Sequence, residues 1–193
     1  MNLVSTASPA LPHSQSVLVR WPLAVALGSL LVAVCAHVSI PLWFTPVPIT
    51  LQTFAVILLG LLLSPSAAAG ALLLYLVEGA AGLPVFSPHA PAGLLHLFGP
   101  TGGYLLSYPL AAALTALLRR RIGGKSAFGP SLLAGAAGSL LILLCGALWF
   151  GILTRQSAGT VLALSVLPFL PGDILKISAA AGAAAGWRRF RRS

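Results

Sequence analysis

Asp173 and Lys176, in the segment LPFLPGDILKIS, are the ionisable pair in this sequence that apolar surroundings would resist most and a polar ligand would use most. On insertion scales each charge costs roughly 2.5 to 3.5 kcal/mol at mid-bilayer and less near an interface, so something must compensate it. Three residues apart on a helix, the two share a face. Pro171 and Gly172 start that helix and put Asp173 in its first turn, where the helix dipole favours an anion. Two readings follow. In one, Asp173 caps the helix and pairs with Lys176 as a structural device. In the other, the pair is a polar recognition site at the outer side of a membrane, the acid accepting N–H donors and the amine taking a carboxylate or carbonyl. Glu78, the other acid, ends an apolar stretch before a long loop. It is placed to cap that loop, to pair with Lys176 or to touch a ligand.

Other chemistry was sought in the residue types and does not assemble. Gly124-Lys125-Ser126 resembles the end of a phosphate-binding loop, but that motif needs a glycine where Arg119 stands. There is no HExxH and no GxSxG. His13, His37, His89 and His96 are scattered without ligand spacing, so no metal is expected. Cys35 and Cys145 lie in apolar runs, where free cysteine packs as a small hydrophobe. Neither a catalytic residue nor a cofactor is expected, and the chain does not read as an enzyme. Transport or binding remains, and a transporter driven by ATP would have to borrow its engine.

The elements that hold these residues follow from composition. Of 193 residues, 11 are Lys or Arg, two are acids and 58% are hydrophobic; the mean hydropathy is +1.00. An ordinary globular domain carries roughly a quarter charged residues, whereas this chain carries 7%, too few to build a water-facing surface. Its solvent is mostly lipid. A net charge of +9 would suggest nucleic acid for a soluble protein, but here the basic residues separate apolar blocks, as cytoplasmic loops do. Nucleic acid is therefore not an expected partner. At roughly 20 residues per crossing the length holds about five to seven helices and no separate soluble domain. The first 19 residues lack an early basic cluster and a small-residue cleavage site, so no cleaved signal peptide is expected.

Helix 1 is expected from Trp21 to Ile40. The proline-bearing PLWFTPVPIT follows, with Trp43 and Phe44 as an interfacial aromatic pair. Thr50–Leu63 and Ala67–Val77 are both short and are divided by Ser64-Pro65-Ser66, as a turn or as a kink. With a turn, six helices result, and Arg20, Arg119 to Arg121, Lys125 and the C-terminal arginines share one face, leaving Arg155 on the other. That count, with both termini cytoplasmic, is preferred. Residues 79–100 form a Gly/Pro-rich connection too long and too apolar for an idle loop. Helices are then expected over Thr101–Leu118, Ser131–Ile152 and Pro171–Trp187. The expected layout is an N-terminal cytoplasmic segment 1–20, an all-α transmembrane domain 21–187 and a basic cytoplasmic tail 188–193. Small residues at four-residue spacing, Ala24/Gly28, Ala134/Gly138 and Gly182/Gly186, mark close helix contacts.

Four segments in order, TPVPITLQTFAVILLGLLLSP, YLVEGAAGLPVFS, FGPTGGYLLSYPLAAAL and LPFLPGDILK, are similar to the signature segments of the BioY family, the biotin-binding S components of energy-coupling factor (ECF) transporters. The resemblance covers roughly residues 41–180. It implies a six-helix S-component bundle in a bacterial inner membrane. Biotin would be held near the outer face, and import would be driven by a transmembrane T subunit with ABC-type ATPase subunits. The family's acid and lysine fall on Asp173 and Lys176, its TLQT loop on Thr50 to Thr53 with Gln52 and Thr53 facing the ligand, and its GPTGGY segment on Gly99 to Tyr104. Phe44, Phe86 and Tyr104 are the expected apolar walls, with Glu78 nearby. Where some relatives carry a basic residue, Ser87 to Gly93 has no Arg or Lys, and His89 is a weak substitute. The Ala24/Gly28 face is expected to dock the T subunit. The competing hypothesis is a stand-alone secondary transporter of biotin or another small vitamin, with Glu78 or Asp173 relaying protons.

Overall fold

The computed structural model describes residues 13–88, 93–122 and 128–190, with side chains from residue 21 onward. Lys125, Ser126 and His89 lie outside these residues, as do the side chains of His13 and Arg20.

Eight helices and one hairpin are present among the described residues: α1 (His13–His37), β1 (Ser39–Leu42), β2 (Thr45–Thr50), α2 (Gln52–Leu62), α3 (Pro65–Ala80), α4 (Leu94–Phe98), α5 (Gly102–Ile122), α6 (Phe128–Thr154), α7 (Ala158–Ser165) and α8 (Leu170–Phe190). The six expected helices all appear, as α1, α2, α3, α5, α6 and α8. The all-α expectation is corrected by the hairpin. Helix 1 stops at His37, before Ile40, because the next residues pair antiparallel with β2, Ser39 opposite Thr50 and Ile40 opposite Ile49. Pro46 and Pro48, which lack N–H groups, fall between the paired positions, where the register shifts. The break at residues 63–64 is a turn and not a kink. Leu63 and Ser64 are extended, and Ser64 Oγ accepts the Ala67 N–H at 3.2 Å, capping a new helix with Pro65 in its first turn. Two short helices, α4 and α7, were not expected. Ser157 caps α7 through the Thr160 N–H at 3.3 Å, and α7 meets α8 at a bend of 48°.

Packing places α2 at the centre, against α1, α5, α6 and α8, with α3 between α1 and α5. The closest pair is α5 and α6, and glycines allow it. A Cβ on Gly138 would stand 2.1 Å from Thr115 Oγ1, and one on Gly103 2.2 Å from Trp149 Cβ. The Ala134/Gly138 expectation is thus met. On α8 it is not: Gly182 and Gly186 face open space, and the packed face is Ala180, Ala181 and Ala184.

The outward faces are apolar, with Leu23, Leu27, Leu30 and Val34 on α1 and Leu133, Leu140, Leu144 and Leu148 on α6 all exposed. Such continuous stripes suit lipid as solvent. Among the described residues α6, with 27 residues, is by itself long and apolar enough to cross a bilayer, and α7 with α8 qualifies as a bent pair. At about 1.5 Å per residue, α2 rises only about 16 Å.

Candidate functional site

Where the hairpin meets the N-terminal ends of α2, α5 and α8, the helices leave a cavity. Its walls are largely apolar, including Val47, Leu105, Leu143 and Phe169, and its polar groups come from separate elements.

From α8 come Asp173 and Lys176, their Oδ1 and Nζ 3.5 Å apart on one helix face, as the three-residue spacing requires. Asp173 is 5% exposed. Its Oδ2 accepts from Ser139 Oγ of α6 at 2.8 Å. Neither oxygen caps the helix, because α8 begins three residues earlier and the Asp173 N–H already donates to Phe169 O at 2.8 Å. The pairing half of the structural reading is present and the capping half is not.

From α2 come Gln52 and Thr53. Thr53 Oγ1 accepts from Lys176 Nζ at 3.1 Å, which fixes the ammonium between two elements far apart in sequence. With Asp173 and Thr53 taking one N–H each, Lys176 keeps a third donor for an incoming acceptor. Gln52 is buried and held on both sides: Thr50 Oγ1 donates to its Oε1 at 3.0 Å, and its Nε2 donates to the Tyr75 hydroxyl.

Tyr104 reaches the cavity because its neighbours give way. A Cβ on Gly146 would stand 2.2 Å from the Tyr104 ring, so glycine there makes the slot, and the Tyr104 hydroxyl donates to Ser165 O at the end of α7. Phe86 lies behind the lining, edge-on to Tyr75 with centroids 5.3 Å apart and against the His96 ring at 4.8 Å. Phe44 does not line the cavity; it is 40% exposed and packs on Trp43. Nor does Glu78, which accepts from Ser29 Oγ across the α1–α3 contact. Gly28 is buried in the same contact, where a Cβ would stand 2.8 Å from Ala71 Cβ. Of the pair expected to dock the T subunit, Gly28 seats α1 on α3 inside the bundle, and Ala24 is half-buried one turn away.

A model of the BioY family matches residues 10–193. The chain belongs to the BioY family. It is 38% identical over 156 residues to the probable biotin transporter BioY of Pyrococcus horikoshii, covering 81% of this chain and 88% of that one. With the biotin transporter BioY of Thermotoga maritima it shares 35% identity, covering 78% and 85% of the two chains. The fold is that of an S component: the crystal structure of the S-component for biotin from an ECF-type ABC transporter superposes with a TM-score of 0.81 at 26% identity, over 95% of this chain and 96% of that one.

Several lining residues of this BioY-family chain escaped sequence reading. Ser87 is 6% exposed, and its Oγ has no hydrogen-bond partner among the described residues. His96, Thr101, Tyr108 and Ser139 also converge on the site or its carboxylate. A serine in SPHAPAG carries no pattern of its own. Only the α3–α5 connection folding over the cavity brings it there. Ser139 sits in an alanine- and glycine-rich helix where a hydroxyl reads as packing.

Proposed function

We propose that this chain is the membrane subunit that captures biotin at the outer face of a bacterial inner membrane, for import energised by an ECF transmembrane T subunit and ABC-type ATPases. In this reading α1, α2, α3, α5, α6 and α8 are the six membrane helices, the short α2 completing its crossing with the hairpin strand that leads into it, and both termini are cytoplasmic. The names of the relatives and the fold of the S-component for biotin support it. The observation that carries it is the Asp173–Lys176 pair, buried in a mostly apolar cavity with hydrogen-bonding capacity unspent.

Biotin presents two ureido N–H donors, a carbonyl and a carboxylate on an apolar body. Asp173, whose carboxylate has about four lone-pair sites, receives the ureido N–H groups. Lys176 gives its third N–H to the ligand's carboxylate or carbonyl oxygen. Gln52 and Thr53 set the geometry of these groups, and Tyr104 and Phe169 close over the apolar rings. Glu78 and Phe44 have no part in this contact.

Biotin binding to the purified chain tests this. Removing one member of a buried pair strands the other, at about 3 to 5 kcal/mol when fully buried, so Asp173→Asn and Lys176→Met should each weaken biotin by tenfold or more. The methyl ester separates the roles: if ester and acid lose equally in Lys176→Met, the carboxylate is not its partner. Parental affinity in both variants would overturn the site. Liposomes holding only this chain, given a pH gradient and labelled biotin, address the competing secondary transporter; proton-driven accumulation without ATP or partners would favour it.

A further inference from the structure

At the opposite end of α2, α5 and α8 lies a second cavity, lined by residues 60–64, Ala116, Arg119, Arg120 and Arg188. Its charge is unbalanced. The chain has two acids, and both are committed elsewhere, Asp173 to Ser139 and Lys176 and Glu78 to Ser29. Arg119 is 7% exposed, and its Nε donates to Ser131 Oγ at 3.0 Å. Arg188 Nη2 donates to Leu61 O at 2.9 Å, at the C-terminal end of α2. Arg120 is exposed at the rim.

Helix ends offset only part of this charge. The C-termini of α2, α5 and α8 meet here, each worth roughly half a negative charge, so they cover about half of the three guanidinium charges. The N-terminus of α3, at Ser64, adds a positive end on the same cavity. A buried guanidinium without a counter-charge is costly, and the planar fork of arginine suits a tetrahedral oxyanion.

We propose that this cavity binds the phosphate of an anionic phospholipid headgroup. A lipid fits better than a free anion because exposed apolar residues stand at the same helix ends, Leu62 in the lining itself and Leu117 and Ile122 beside Arg119 and Arg120 on α5, where acyl chains would run. The headgroup neutralises the arginines and pins the ends of α2, α5 and α8 together, at the far end of the three helices whose other ends hold the ligand cavity.

The full chain in nanodiscs or micelles of defined lipid tests this by native mass spectrometry and thermal unfolding. The probes are phosphatidylglycerol, phosphatidylcholine and inorganic phosphate. The parent should retain phosphatidylglycerol over phosphatidylcholine by about tenfold or more and unfold at higher temperature with it. Arg119→Gln combined with Arg188→Gln should bring the two lipids to near parity. Because a buried arginine can also be needed for folding, exposed Arg120→Gln is the second variant, expected to reduce the preference several-fold with unfolding in phosphatidylcholine unchanged. Arg189→Gln, at the same helix end but off the cavity, should keep the preference and so exclude a general effect of net charge. Equal retention of both lipids by the parent, or a preference that survives in the Arg119/Arg188 variant, overturns the site. Inorganic phosphate stabilising as well as phosphatidylglycerol overturns the lipid and leaves a soluble anion.

Discussion

At the scale of single residues, Ser87 shows how a binding site differs from packing. A buried hydroxyl without a partner costs about 1 to 3 kcal/mol, and its Oγ stays unpartnered beside the cavity. Ser87→Ala should therefore raise the melting temperature of the ligand-free protein while weakening biotin several-fold. Parental affinity in this variant would mean that the hydroxyl does not meet the ligand. Ser139 works in the other direction: its Oγ holds Asp173 Oδ2, so Ser139→Ala should loosen biotin less than Asp173→Asn does, by about 1 to 2 kcal/mol, read by titration calorimetry. Asp173 and Lys176 were legible in sequence because charge is scarce there and a single helix turn relates them. Ser87 and Ser139 were not, since neither type nor spacing separates a serine facing a ligand from one facing a backbone carbonyl.

The elements were legible wherever apolar length or a cap announced them. Ser64-Pro65 marked the α2–α3 turn, and the Gly/Pro-rich 79–100 segment announced a structured connection without revealing α4. The hairpin was hidden because Pro46 and Pro48 argue against a strand, and only its register shows that they sit between paired positions. Small-residue spacing located close contacts but not their partners: Gly28 meets Ala71 inside the bundle, whereas Gly182 meets nothing. Gly28→Trp accordingly damages the fold. Overpacking costs about 1 to 3 kcal/mol or more, so unfolding in detergent should shift downward and biotin binding should fall with it. Binding kept while ATP-driven uptake alone disappears would return this face to partner docking.

For the molecule as a whole, basic residues mark the ends. Arg119, Arg120 and Arg188 line one cavity, while Arg155 follows the far end of α6. In the proposed orientation the former group faces the cytoplasm, as the positive-inside tendency favours. With Cys35 and Cys145 replaced, a single cysteine at Ser157 should react with an impermeant thiol reagent from outside, and one at Ser126 should not; the reverse pattern inverts the orientation. Composition alone was enough to read a lipid-solvated bundle. The cavity was legible only as a set of polar residues, since its shape depends on how β2, α4 and the ends of α2, α5 and α8 meet around it.

The contact between Lys176 Nζ and Thr53 Oγ1 joins positions 123 residues apart. During synthesis at roughly 5 to 20 residues per second, Thr53 is in place well before Lys176 leaves the ribosome, and α8 arrives after the other helices that line the cavity. No partial chain holds the acid, the amine and the hydroxyl together. A chain cut after α7 would insert most of its hydrophobic length and still have no partner for Thr53, so ligand retention serves as a readout of finished assembly. A vitamin bound at this junction ties the end of the chain to its beginning, and its binding energy is then also resistance to the escape of α8.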